Sequence, residues 1–190
     1  MERVNKIQEV AQGLGVFDVK TLAEIFSSFG WWAKGQSSKV NTKKYLDALT
    51  EQGKLERGDG FYRVKGSRSD YKEHARKVSE CLAELWKLPG IRPLIKKESP
   101  FSNGLRPDAV ILLIQQDKGL CILLEVANTE TDEYLQAKIN ELKRNQELIK
   151  TELTQLLGYK VPDFILAVKG KEIKGVMPFK TLIQTLKEEK

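Results

Sequence analysis

The sequence predicts an α/β protein, α+β overall, in two domains: residues 1–66, mostly helical with a β-hairpin, and residues 67–190, built on a mixed sheet. Three observations carry this. Asp59-Gly60 sits between two alternating segments, KLERG and FYRVK, and that dipeptide is a strong two-residue hairpin signal. RPDAVILLIQQDKGLCILLEVANTE, residues 106–130, holds two apolar strands, 109–114 and 120–127, around a polar turn. Residues then recur at spacings of four and three from Leu135 to Leu156, all apolar but Gln146, which is helical spacing.

In the first domain, Val4, Ile7, Val10, Ala11 and Leu14 give one helix. Asp18 caps a second, VKTLAEIFSSF, which Gly30 ends. A loop, WWAKGQSSK, leads to a third helix capped by Asn41 or Thr42, with Tyr45, Leu46 and Leu49 on its apolar face and Gly53 as its stop. The polar stretch Lys65–Asp70 marks the domain boundary. The second domain opens with a long helix whose apolar face is Tyr71, Ala75, Val78, Cys81, Leu82 and Leu85 and which Pro89-Gly90 ends. An extended segment, IRPLIKKE, precedes the two apolar strands. A single helix from Thr131 to Leu157, a strand DFILAVKG and a helix FKTLIQTLKEE complete it. Helices interleaved with strands in this order make an α/β domain with a central mixed sheet.

At 41% hydrophobic and 31% charged residues, the chain has the composition of a folded globular protein. No apolar run approaches the roughly 20 residues that span a bilayer. The polar start MERVNKIQEV has no signal-peptide core, so the cytoplasm is the expected location. Cys81 and Cys121 lie far apart in apolar patterns and are expected as buried thiols. With one histidine, His74, a zinc site lacks ligands. The net charge of +6 favours a polyanionic partner.

YLDALTEQGKLERGDGFYRV, a helix, a glycine and a hairpin, resembles the recognition helix and wing of winged helix-turn-helix domains, over residues 1–66. The resemblance implies double-stranded DNA as partner, with the third helix in the major groove. The charge distribution agrees. Lys34, Lys39, Lys43 and Lys44 fall in a stretch with no acidic residue, with Ser37, Ser38, Asn41 and Thr42 among them, and Arg57 and Arg63 flank the wing. Lysines neutralise phosphates, while short polar groups meet phosphate oxygens or base edges. Trp31-Trp32 either packs under the loop or contacts a partner.

The order helix, hairpin carrying Pro-Asp and then Glu, helix, strand resembles the PD-(D/E)XK restriction-endonuclease-like fold. By that resemblance Asp108 and Glu125 hold a divalent metal, usually Mg2+, with Glu73 a further candidate ligand. Hard oxygen ligands suit that ion, which phosphodiester cleavage uses to generate hydroxide and to offset charge on the phosphate. The family places a lysine two residues after the glutamate; here stands Ala127. Lys138 on the following helix is the best substitute, with Lys96 and Lys97 behind it. Otherwise the site is degenerate and the domain serves binding or docking.

HARKVSECLAEL, RPDAVILL and LLEVANTETDEYLQAKINEL further resemble the replication-relaxation family of plasmids and integrative elements, in which LEVDRGTE stands where this chain has LEVANTET. This implies a mobile-element DNA-binding protein acting at a replication or transfer origin, with a relaxase or replication protein as partner. The remaining readings are a Mg2+-dependent nicking endonuclease using Asp108, Glu125 and Lys138, and a dimeric winged-helix transcriptional regulator. The heptad-like seam of the long helix packs its apolar stripe on the sheet, broadened by Leu148 and Leu157, and its surplus length offers a protruding end for a homodimer.

Overall fold

The computed structural model describes residues 2–66, 72–97, 99–115, 118–161 and 163–188. The chain divides into two compact units, Met1–Pro89 and Gly90–Lys190.

In the first unit, helix α1 (Glu2–Leu14) buries Ile7, Val10, Ala11 and Leu14, the stripe its spacing foretells. Gly15, at φ 74°, breaks it and turns the chain into a two-residue strand, β1 (Val16–Phe17). Asp18 caps α2 (Val19–Ser28), its Oδ1 accepting from the Thr21 amide at 2.7 Å. Helix α3 spans Gln36–Glu51, so it begins before the expected cap at Asn41 or Thr42. Gly35, at φ 121°, supplies the entry that other residues resist. Ser38 and Thr42 then lie one turn apart on the face that also carries Leu46 and Leu49, and all four are buried. Two small polar residues on that face hide its periodicity from a reading based on apolar spacing.

Strands β2 (Leu55–Gly58) and β3 (Phe61–Val64) form the expected hairpin, Gly58 pairing with Phe61 across Asp59-Gly60. β1 adds to β3, giving an antiparallel sheet of order β1-β3-β2. Helix α4 (Lys72–Trp86) packs on α1, α2 and β1 through Ala75, Val78, Leu82 and Leu85, and Ser79 Oγ donates to the Leu14 carbonyl at 2.6 Å. The unit therefore runs past residue 66, because this helix gives its apolar face to the helices before it. Tyr71 and most of the expected boundary stretch lie outside the described residues. Trp31 stacks on Phe26 at 5.0 Å and Trp32 on Tyr45 at 5.9 Å, both half-buried, so the tandem tryptophans pack under their loop.

The second unit is a five-stranded mixed sheet of order β4-β5-β6-β7-β8, formed by β4 (Arg92–Lys97), β5 (Ala109–Gln115), β6 (Lys118–Val126), β7 (Phe164–Lys169) and β8 (Met177–Pro178). The first three strands are antiparallel; β6, β7 and β8 are parallel. Between β6 and β7 run two helices, α5 (Asp132–Arg144) and α6 (Gln146–Leu157), where the sequence reads as one. The break is at Asn145, which leaves helical geometry at φ −100°, ψ 22°. In α6 the buried positions are Ile149, Leu153 and Leu157, four residues apart, while Leu156 is exposed. Leu135, Ile139, Leu142, Ile149, Leu153 and Leu157 then cover the sheet residues Val110, Leu112, Cys121, Leu123, Leu166 and Val168. The seam thus packs on this unit's own sheet, the first of its two expected readings. Helix α7 (Phe179–Glu188) packs on β7 and β8. No helix among the described residues is long and apolar enough to cross a membrane.

Candidate functional site

Asp108 directly precedes β5, and Glu125 lies near the end of β6. Ala109 pairs with Leu124, so the next position out sets Asp108 opposite Glu125. Directly opposite residues share a sheet face, and by alternation this is the face of Val110, Leu112, Cys121 and Leu123, the one α5 and α6 cover. The Asp108 amide donates to the Leu124 carbonyl at 3.1 Å, and its Oδ2 accepts from the Val126 amide at 2.7 Å. The aspartate thereby stitches the start of β5 to the end of β6.

Glu125 is 4% exposed, the only charged residue among the buried polar side chains described. A carboxylate that deep is costly without an opposite charge. Lys138 supplies it, Nζ to Oε2 at 2.7 Å. The lysine comes from the second turn of α5, one residue before buried Ile139. α5 is aimed by Thr131, whose Oγ1 accepts from the Tyr134 amide at 3.2 Å. The intervening loop is tied at both ends. Glu130 Oε2 accepts from the amides of Asn128 and Thr129 at 2.6 and 3.0 Å. Lys171 Nζ reaches the Glu130 carbonyl and Asp132 Oδ1, both at 2.6 Å. Sequence reasoning misses Glu130 and Lys171; a glutamate just ahead of a helix cap is the signal that could find the first.

Asp108, Glu125 and Lys138 are therefore brought to one end of one sheet face. Ala127 continues the alternation of Glu125 and is partly buried against the same apolar cluster. A lysine there and Lys138 would project onto the same face, one from the strand and one from the helix. Glu73 lies in the first unit, exposed and paired with Lys77 at 3.1 Å. His74, its neighbour, is half-buried on α4. Lys96 and Lys97 stand on β4 opposite Val110 and Ala109. Among the described residues no group of three or more His, Cys, Asp or Glu side chains is placed to hold a metal ion. Asp108 and Glu125 remain a pair of hard oxygen donors of the type that suits magnesium.

The polar residues of the first unit separate into two sets. Lys34, Ser37, Lys39, Lys43, Lys44 and Arg57 are exposed, while Asn41 and Arg63 are half-buried. Ser38 and Thr42 point into the unit's core, and Ser38 Oγ donates to the Gly35 carbonyl at 2.8 Å. These two side chains serve packing and leave the set available to a nucleic acid. Lys43 pairs with Asp47 at 2.5 Å, and Arg63 Nε donates to Glu56 at 2.5 Å. Lys34, Lys39 and Lys44 have no ion-pair partner among the described residues. Asp47 also accepts from Tyr62 Oη at 2.9 Å. The hydrogen bond from Lys43, then that from Tyr62, holds its carboxyl below the usual range.

Neither a family model nor a curated protein matches the chain. Among solved structures, one of restriction endonuclease FokI matches at TM-score 0.31 and 11% identity, over 98% of this chain and 40% of that one. A structure of FokI bound to DNA matches at TM-score 0.31 and 13% identity, over 98% and 41%. This chain thus spans about two fifths of the length of those chains, and a TM-score of that size is too low to equate the folds.

Proposed function

We propose that this chain is a DNA-binding protein whose first unit is a winged helix and whose second unit is nuclease-like. The observation that carries the reading is α3, where Lys39 and Lys44, on different sides of the helix, and Lys34 just ahead of it are exposed and have no ion-pair partner among the described residues. A duplex presents a dense row of phosphates, and each lysine that meets one releases a condensed counterion. Ser37 and Asn41 lie between these cations, and the hairpin after α3 carries Arg57 outward. Helices α1, α2 and α3 and the sheet order β1-β3-β2 support the winged-helix reading. Action at a replication or transfer origin, with a relaxase or replication protein as partner, is the role the family resemblance supplies. The test is binding of labelled duplex DNA to the full chain across a salt series. Affinity that falls steeply with salt supports the reading; affinity independent of salt refutes it.

A second reading, a magnesium-dependent nicking endonuclease, is favoured by one observation: Lys138 reaches Glu125 from α5 and supplies the cation that position 127 lacks. Asp108 and Glu125 would hold the ion, which would stabilise charge developing on a phosphate and lower the pKa of bound water. Lys138 would hold the Glu125 carboxylate in place and add positive charge beside the scissile group. Supercoiled plasmid nicked in magnesium or manganese by the wild type, and not by Asp108→Ala or Glu125→Ala, supports this reading. Plasmid bound but left intact by all three removes it and leaves the DNA-binding reading standing.

A further inference from the structure

Helices α2 and α3, with the chain just past α4, line a half-open cavity of about 560 Å3. Its wall carries Lys20 and Ser27 from α2, Lys34, Gly35 and Lys39 around the start of α3, and Lys87. Lys87 is already engaged, with Nζ 2.7 Å from Glu24 Oε2 and 3.0 Å from Glu84 Oε1. Burial pulls its ammonium down, but the bonds to the two glutamates outweigh burial and leave it raised, so it stays charged. Glu24, the acid on the cavity wall, is taken up by that pairing.

Lys20, Lys34 and Lys39 are left, and none has an ion-pair partner among the described residues. Three cations around one concavity, with no counter-charge assigned to them, raise a local positive potential that an anion relieves. Two further features point the same way. The Ser27 hydroxyl oxygen is enclosed and has no hydrogen-bond partner among the described residues. A hydroxyl donor in that position is costly unless something accepts from it. α3 also starts at Gly35 with no side-chain cap, so its first amides, at the positive end of the helix, keep their donor capacity.

We propose that this cavity is a binding site for a phosphate group carried on a larger ligand. Ammonium groups, a serine hydroxyl and uncapped helix amides are the donors that hold phosphate oxygens. The volume lies within the roughly 300–1,000 Å3 of small-ligand sites, well beyond one phosphate ion. Two sources carry such a group: a phosphorylated small molecule, or the DNA backbone, since Lys34 and Lys39 on the cavity rim also belong to the cations proposed to meet DNA. The DNA source rests on the reading of α3 above; the small-molecule source does not.

Inorganic pyrophosphate is the probe, titrated calorimetrically into the full chain, alongside duplex DNA. Lys20→Gln and Ser27→Ala are the site variants, and Lys160→Gln, exposed in the second unit, is the control. Ser27→Ala removes an unbonded hydroxyl and is expected to keep the thermal midpoint. Each site variant is expected to weaken pyrophosphate about tenfold, the effect of one charge-assisted hydrogen bond, with the control unchanged. Loss of pyrophosphate binding with duplex affinity unaltered assigns the site to a phosphorylated small molecule. A duplex salt slope flattened by about one unit in Lys20→Gln, with pyrophosphate displacing duplex, assigns it to the DNA backbone. If duplex is not bound at all, the DNA reading fails and the pyrophosphate arm alone decides the cavity. The proposal is overturned if neither site variant changes pyrophosphate binding, or none occurs, and the duplex slope also stays as it was.

Discussion

Lys138→Met tests whether the Glu125–Lys138 pair governs the second unit. The side chains are 5% and 16% exposed and meet at 2.7 Å. At that distance and an effective dielectric of about 20, their direct attraction is about 6 kcal/mol. Desolvation of the two ions offsets most of it, several kcal/mol for each. The measurable quantity is therefore the cost of leaving a buried carboxylate without its ammonium, about 3–5 kcal/mol. For a chain of this size that lowers the thermal midpoint by about 6–20 °C. Methionine keeps the aliphatic stem, so the change in packing adds little. Adding Glu125→Gln removes the uncompensated charge and should return much of the loss. Calorimetry on wild type, single and double variants reads both effects. A single variant within about 0.5 kcal/mol of wild type, or a double variant no more stable than the single, would refute the argument that this pair is buried and mutually dependent.

Three other outcomes are expected. Gly170→Ala should destabilise the protein by about 1–3 kcal/mol, because Gly170 sits at φ 97° and a Cβ there would lie 2.8 Å from the Ala127 carbonyl oxygen; urea unfolding measures it. The Cys121 thiol, pushed up to about 12 by burial, should resist iodoacetamide at pH 8 in the native protein and react in denaturant, as mass spectrometry would record. Asp47 has a lowered carboxyl pKa, so its contribution to stability is complete above the ordinary carboxylate range and is lost as pH falls through the depressed value; Asp47→Asn should flatten the acid limb of a midpoint-against-pH curve.

Local signals are legible where the chain settles its own geometry. Asp59-Gly60 closes its hairpin and Asp18 caps its helix. The apolar runs at 109–114 and 120–127 become adjacent strands, because turn chemistry and alternation act over a few residues. Lys138 is legible for the same reason: from Thr131, helical periodicity carries it to the sheet side. Features set by tertiary packing are not. The buried faces of Ser38 and Thr42 pull α3 back to Gly35, and no apolar period announces that. Asn145 interrupts a heptad pattern that by itself reads as continuous. β1 and β8, two residues each, are strands only because a neighbour pairs with them. The lysine cavity needs α2 and α3 packed together before Lys20 meets Lys34 and Lys39. The carboxylates and Lys138 are singled out by the family resemblance, with helical position aiming the lysine; the bond from the Val126 amide to Asp108 is announced by neither.

DNA binding through the face of α3 is tested most directly by duplex affinity across a salt series for wild type and Lys39→Ala/Lys44→Ala, read by fluorescence anisotropy. These two lysines are free of ion pairs among the described residues, so their removal breaks no ion pair that holds the fold. With two fewer ammonium groups to neutralise phosphates, the slope of log K against log salt should flatten by about two units and affinity should fall at every salt concentration. A variant with the wild-type slope and affinity would contradict the placement of DNA on this helix.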